Sequence, residues 1–285
     1  MNMETQTKAK PGAIFHFSCK VHGRSDGANA VKLAAYRAGS RLRSELTSRI
    51  HNYTRKKEVL WSEILAPRHA PAWAKDRSTL WNAVDRVEHR CDAQLAREVE
   101  VALPIVLSPT DHYDLLRQWA EETFISQGMV ADICYHAKRG NPHAHILLTL
   151  RDIDPDGFGK KNRSWNVPRL LETWRESWAS FVNHFLEKAG HDIRIDHRSF
   201  KRQGLDLNPT KHVGRPTPWN GQKVADVSME NQLTLIEREI RRQKRAQKKK
   251  AQPAKLLETE PRTTSPACMP TQRPPRVRRP RPARI

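Results

Sequence analysis

Residues 135–150 read YHAKRGNPHAHILLTL. The polar run Lys138-Arg139-Gly140-Asn141-Pro142 separates two apolar segments, 129–137 and 143–151, and predicts a hairpin joining two strands. Side chains two apart on a strand leave the same face, so His143 and His145 project together while Ile146, Leu148 and Leu150 turn to the core. The hairpin folds His136 back beside them. Thirteen histidines in 285 residues put about half of one in a ten-residue window, yet residues 136–145 hold three.

Working outward, residues 97–103 (REVEVAL) alternate cleanly, with Val99, Val101 and Leu103 on one face and Glu98 and Glu100 on the other. Further strands are predicted over 14–20, 58–65 and 193–195. Helices are predicted over 28–42, 76–92, 109–125 and 167–189, the last with Trp174, Trp178, Phe181 and Phe185 at core spacing. Residues 43–56 and 152–164 read as polar loops. Strands alternating with helices, plus a hairpin, predict an α/β (α+β type) sandwich with a mainly antiparallel central sheet flanked by helices. The chain divides into a disordered leader over 1–13, a catalytic domain over 14–222, a basic helix over 223–250 and a disordered Pro/Arg-rich tail over 251–285.

The net charge is +20, which points to an anionic polymer as partner. Residues 237–285 carry 16 Lys and Arg against four acids, leaving the rest only moderately basic. The four cysteines form no CxxC pair, which excludes zinc-finger spacing. No apolar run approaches the ~18–20 residues of a membrane span. No membrane insertion and a cytoplasmic setting are therefore expected.

Three neutral imidazoles suit a divalent metal, and a three-ligand site leaves positions open where a Lewis acid can polarise a phosphate oxygen. The blander reading is a set of half-exposed strand histidines. Glu98 and Glu100 either orient such ligands, accept a proton, or line a solvated face with ion pairs. A phenol can attack a phosphodiester beside a metal, and the resulting phosphotyrosyl bond keeps the energy needed to rejoin the strand. Tyr36, in AVKLAAYRAG, and Tyr53, in a basic loop, are both open for that role. Arg37, Arg41, Arg43, Lys56 and Lys57 lie near Tyr36 in sequence, Arg97 lies near the glutamates, and Lys138 and Arg139 sit on the histidine hairpin. All are candidates for DNA phosphates.

The stretches FHFSCKVHGRSDGANAVKLAAYRAG, APAWAKDRSTLWNAVDRVEHRCDAQLAREVEVALP, GMVADICYHAKRGNPHAHILLTLR and WNVPRLLETWRESWASFVN resemble the MobA/MobL relaxases of mobilisable plasmids, in unbroken order from about residue 14 to about residue 214. The resemblance implies the HUH endonuclease fold. It implies that Tyr36 is the nucleophile, that His136, His143 and His145 bind Mg2+ or Mn2+, and that Glu98 and Glu100 belong to the active-site strand. It implies a conjugative relaxase that nicks one strand at a plasmid transfer origin, holds the 5′ phosphate covalently and rejoins the strand after transfer. Relaxosome accessory proteins and a type IV secretion coupling protein would be its partners. A rolling-circle replication initiator and a non-catalytic DNA-binding repressor are the alternatives. The loop HNYTRKKEVLWSEI departs from the pattern, with Asn52 and Leu60-Trp61 where Asp and Val-His are expected. Many members continue into a helicase or primase region where this chain has its Pro/Arg tail, so a minimal relaxase is expected.

Overall fold

A computed structural model describes residues 14–211, 213 and 217–251. The leader over 1–13 and the tail, apart from Ala251, lie outside the described residues. The elements are β1 (Phe17–Gly23), α1 (Ala30–Ala38), β2 (Arg41–Arg43), β3 (Ile50–Asn52), β4 (Val59–Leu65), α2 (Arg77–Val87), β5 (Gln94–Ala102), α3 (Pro109–Thr123), β6 (Ala131–Lys138), β7 (Asn141–Leu148), β8 (Arg151–Asp154), β9 (Gly157–Lys161), α4 (Pro168–Lys188) and α5 (Gly221–Ala251).

Five strands form the central sheet in the order β1-β5-β7-β6-β4, with every neighbouring pair antiparallel. Helices cover both faces. On one, Val99, Val101, Ile133 and Ile146 pack with Leu115, Leu116 and Trp119 of α3 and Trp174, Trp178 and Val182 of α4. On the other, Leu95 and Leu147 pack with Ala30, Val31 and Ala34 of α1 and Leu80, Trp81 and Val84 of α2. Hydrophobic burial on both faces fixes the sheet's register, because a one-residue slip would exchange the two cores. Trp178 is fully buried, with its ring centroid 4.6 Å from that of Trp119. Replacing Trp178 with Ala should lower stability by about 3–5 kcal/mol, read as a shift of the urea unfolding midpoint.

The small residues of α1 let it lie close on the sheet. Asn29 caps its N-terminus through Lys32 N, and Gly39 ends it with φ 59°. That left-handed residue stops the helix at Ala38, four residues before the expected end. Residues 43–56 were expected to be a loop, but Ile50–Asn52 pairs with Arg41–Arg43 as a hairpin, and the expected loop over 152–164 contains β8 and β9. Both hairpins are short and mostly polar, so they carry little apolar alternation to read. The segment 193–195 is not a strand: Asn183 takes both backbone groups of Ile195, its Oδ1 accepting from the N–H and its Nδ2 donating to the carbonyl, each at 2.8 Å. α5 begins at Gly221, two residues before the expected start at 223.

The chain divides into one unit ending at Leu205 and a second from Asp206. Within the second unit Asn231 on α5 exchanges two hydrogen bonds with the backbone of Lys211. No helix among the described residues is long and apolar enough to cross a membrane.

Candidate metal centre

Strand register assembles the cluster. β6 and β7 pair His136 with His143 and Cys134 with His145, while β5 and β7 pair Glu100 with His145. Partners on adjacent strands share a face. The three histidines, Glu98 and Glu100 therefore occupy the face opposite Val99 and Val101. The ring centroids of His136, His143 and His145 lie 4.8–5.2 Å apart, and one donor nitrogen from each lies within 4.8 Å of the others.

Each ring already spends one nitrogen on a group that can only accept. His145 Nδ1 donates to Glu98 Oε1 at 2.7 Å, His143 Nδ1 to the Asn141 carbonyl at 2.8 Å, and His136 Nε2 to the Arg37 carbonyl at 2.7 Å. These contacts fix the tautomers and leave one lone pair per ring: Nε2 of His145, Nε2 of His143 and Nδ1 of His136. Burial, the largest cause, disfavours the charged form of two of the rings. It lowers His143, and it lowers His136 to about 4 against the opposing pull of the Arg37 carbonyl. Three neutral imidazoles with convergent lone pairs fit a divalent cation.

The depressed histidine values set a sign for pH dependence. The unfolded chain protonates His136 near pH 6.5 and the folded chain only near 4, so the unfolded state binds more protons in between. The stability is present above 6.5 and is lost as pH falls toward 4. Metal-free protein should therefore melt at a lower temperature at pH 5 than at pH 7.5, and His136→Phe should reduce that difference.

Glu98 joins the cluster to two other elements. Burial alone would raise its carboxyl, but donors from His145, His22 and Arg37 together hold it well below the usual carboxylate range. His22 on β1 lies 2.6 Å from Oε2, and Arg37 at the end of α1 places Nη2 2.9 Å from Oε2 and Nε 2.5 Å from Oε1. Tyr36 immediately precedes Arg37 and is 43% exposed. Its ring meets Tyr53 edge-on, with centroids 5.1 Å apart. Lys56 Nζ lies 4.0 Å from the Tyr36 centroid and donates to the Tyr36 carbonyl at 3.0 Å. Burial, then the Arg37 charge, lowers the Lys56 ammonium against the pull of Glu58.

Not every expected residue converges here. Arg97 shares strand parity with Val99, so it emerges on the opposite face. It is buried, donates to the Trp165 carbonyl and Asn166 Oδ1, and lies over the Trp174 ring, out of reach of a DNA phosphate at this site. Arg37 points inward to Glu98. Arg41 is exposed on β2, and Lys138 and Arg139 are exposed at the β6–β7 turn. Glu100 is half-buried beside His145 in register. Sequence reading missed His22, because the first strand was ended at Lys20, two residues short of it. It named Tyr53 as a rival nucleophile and Lys56 as a phosphate contact, without their packing on the Tyr36 ring.

An antiparallel sheet between two helical layers, with three imidazoles converging from its central strands, places the chain in the HUH-endonuclease fold class. The chain belongs to the MobA/MobL family, whose pattern matches residues 28–218. It is 37% identical to the conjugal transfer protein TraA of Rhizobium radiobacter, over 71% of this chain and 21% of that protein. It is 35% identical to the mobilization protein MobL of Acidithiobacillus ferridurans, over 71% of this chain and 62% of that one. A solved structure described as the molecular basis of vancomycin resistance transfer in Staphylococcus aureus superposes with a TM-score of 0.63 at 33% identity, covering 66% of this chain and all of that one. The chain spans about a quarter or less of the length of the TraA proteins of Rhizobium radiobacter and Agrobacterium fabrum.

Proposed function

We propose that this chain is a conjugative relaxase that nicks one DNA strand at a plasmid transfer origin. The observation that carries this reading is the joint between nucleophile and metal site: the residue after Tyr36 touches both His136 and Glu98. The names of the relatives, which refer to conjugal transfer and mobilization, favour a relaxase over a replication initiator.

In this reading His136, His143 and His145 hold a divalent cation, which supplies Lewis-acid polarisation of a phosphate oxygen. The all-nitrogen donor set favours Mn2+ over Mg2+, which prefers oxygen ligands. Tyr36 Oη attacks the phosphorus, the bond to the 3′ oxygen breaks, and the 5′ phosphate stays on the tyrosine. Glu98 is too weak a base, with its donors in place, to take the phenolic proton. It orients His145, and Glu100 on the same face receives the proton. Lys56 holds the Tyr36 ring, while Arg41, Lys138 and Arg139 contact flanking phosphates. Accessory proteins and a coupling protein complete the transfer complex.

The test is incubation with labelled single-stranded DNA from a candidate transfer origin, with and without EDTA. A metal-dependent, SDS-resistant adduct is expected, and its absence over all origins of the host plasmid would refute the reading. Removing residues 237–285 takes away 16 basic side chains and should lower DNA affinity and flatten its salt dependence, measured by fluorescence anisotropy, while sparing cleavage of excess oligonucleotide.

A further inference from the structure

We propose that Arg37 is a positioning residue that couples the three-histidine cluster to the helix bearing Tyr36, with His22 steadying the same carboxylate from β1. The inference rests on the metal and tyrosine reading above, and it takes Arg37 away from DNA contact.

One residue orients two of the three rings. The Arg37 carbonyl accepts from His136 Nε2 at 2.7 Å, which directs Nδ1 of that ring toward the cluster. Its guanidinium lies against both Glu98 oxygens, and Glu98 in turn accepts from His145 Nδ1 at 2.7 Å. Only 19% of the Arg37 side chain is exposed, and its fork is committed to a carboxylate that is itself 6% exposed. A buried carboxylate left without its guanidinium would be strongly destabilised, so a DNA phosphate cannot claim Arg37 without disturbing the cluster. The planar guanidinium holds its charge and donors in a fixed geometry against Glu98, whereas a lysine ammonium is a compact, rotatable point charge on a flexible stem. His22 Nε2 reaches Oε2 from the other side at 2.6 Å and completes the orientation of the carboxylate.

The same helix is anchored at its other end. Asp85 accepts from the Ala30 N–H at 3.3 Å and from Asn29 Nδ2 at 3.0 Å. With both ends of α1 held, reorientation of His136 or His145 shifts the last helical turn, and Tyr36 sits in that turn. Ordering the rings thereby orders the nucleophile. Partners that orient ligand histidines typically change metal affinity by ~10–100-fold when removed.

The experiment uses the full chain and two readouts independent of cleavage: Mn2+ affinity by calorimetry, and single-stranded DNA affinity in EDTA by anisotropy. Arg37→Gln should weaken Mn2+ binding by ~10–100-fold, leave metal-free DNA affinity at the parental value, and remove the single Nδ1-protonated form of His145 seen by 15N NMR. Arg37→Lys should fall between. His22→Leu should weaken Mn2+ binding by ~10-fold, and His22→Gln, which can still donate to Glu98, should recover most of it. Lost DNA affinity with unchanged Mn2+ affinity in Arg37→Gln would overturn the proposal, as would parental Mn2+ affinity in a folded His22→Leu protein if Arg37→Gln does not fold. A parent chain that binds no Mn2+ would instead defeat the metal reading on which this one stands.

Discussion

Tyr36→Phe protein should bind transfer-origin DNA as the parent does but form no covalent adduct, and its cleavage rate should fall by at least about 10³-fold. The substitution removes one oxygen and leaves the ring. The edge-on contact with Tyr53 and the Lys56 ammonium 4.0 Å from the ring centroid both survive, so the loop over 53–56 and the end of α1 keep their places. A defect in this variant is therefore chemical and not structural. Equal melting temperatures for the two proteins check that, and gel mobility after SDS treatment checks the adduct. Tyr53→Phe is the matching control, because its ring is the neighbouring phenol. It should lower the rate far less and leave the adduct in place.

His143→Ala should give the second large effect. His143 is the half-exposed member of the triad, and its Nδ1 bonds only to the nearby Asn141 carbonyl, so truncation leaves the sheet, Glu98 and Arg37 undisturbed. Lewis-acid catalysis contributes several kcal/mol, and losing about 4 kcal/mol of it slows cleavage by about 10³-fold. The two remaining imidazoles bind the cation weakly, so raising Mn2+ into the millimolar range should restore part of the rate. EDTA should reduce the parent to the level of the variant. Cleavage that is indifferent to EDTA, with His143→Ala as active as the parent, would show that the rings do not act through a cation.

Both effects trace to features that differ in how openly the sequence shows them. The His136–His145 hairpin was legible because its turn residues and period-2 pattern are local, and a strand's parity alone puts His143 and His145 on one face. Parity also placed Val99 and Val101 in the core. The same rule, carried one step further, would have put Arg97 with the valines instead of near DNA. Glu98 was harder. Alternation of charged with apolar residues reads as a half-solvated strand, whereas α1 and α2 cover that face and bury the carboxylate. The partners that justify the burial, His22 and Arg37, are 76 and 61 residues away in sequence, and no local pattern reports such distances. The β2–β3 and β8–β9 hairpins escaped because their strands are short and mostly polar. Tyr36 could not be chosen over Tyr53 by spacing, since the two sit side by side in the fold. What separates them is the next residue, Arg37, whose backbone and side chain both reach the histidine cluster.

That joint between tyrosine and cluster is the centre of the account, and peptide mapping tests it most directly. The parent protein is allowed to react with a transfer-origin oligonucleotide in Mn2+, digested with protease and nuclease, and sequenced by mass spectrometry. The account predicts a residual nucleotide on Tyr36 alone, absent when EDTA is present. A nucleotide on Tyr53, Tyr113 or Tyr135, or modification that persists in EDTA, would contradict it.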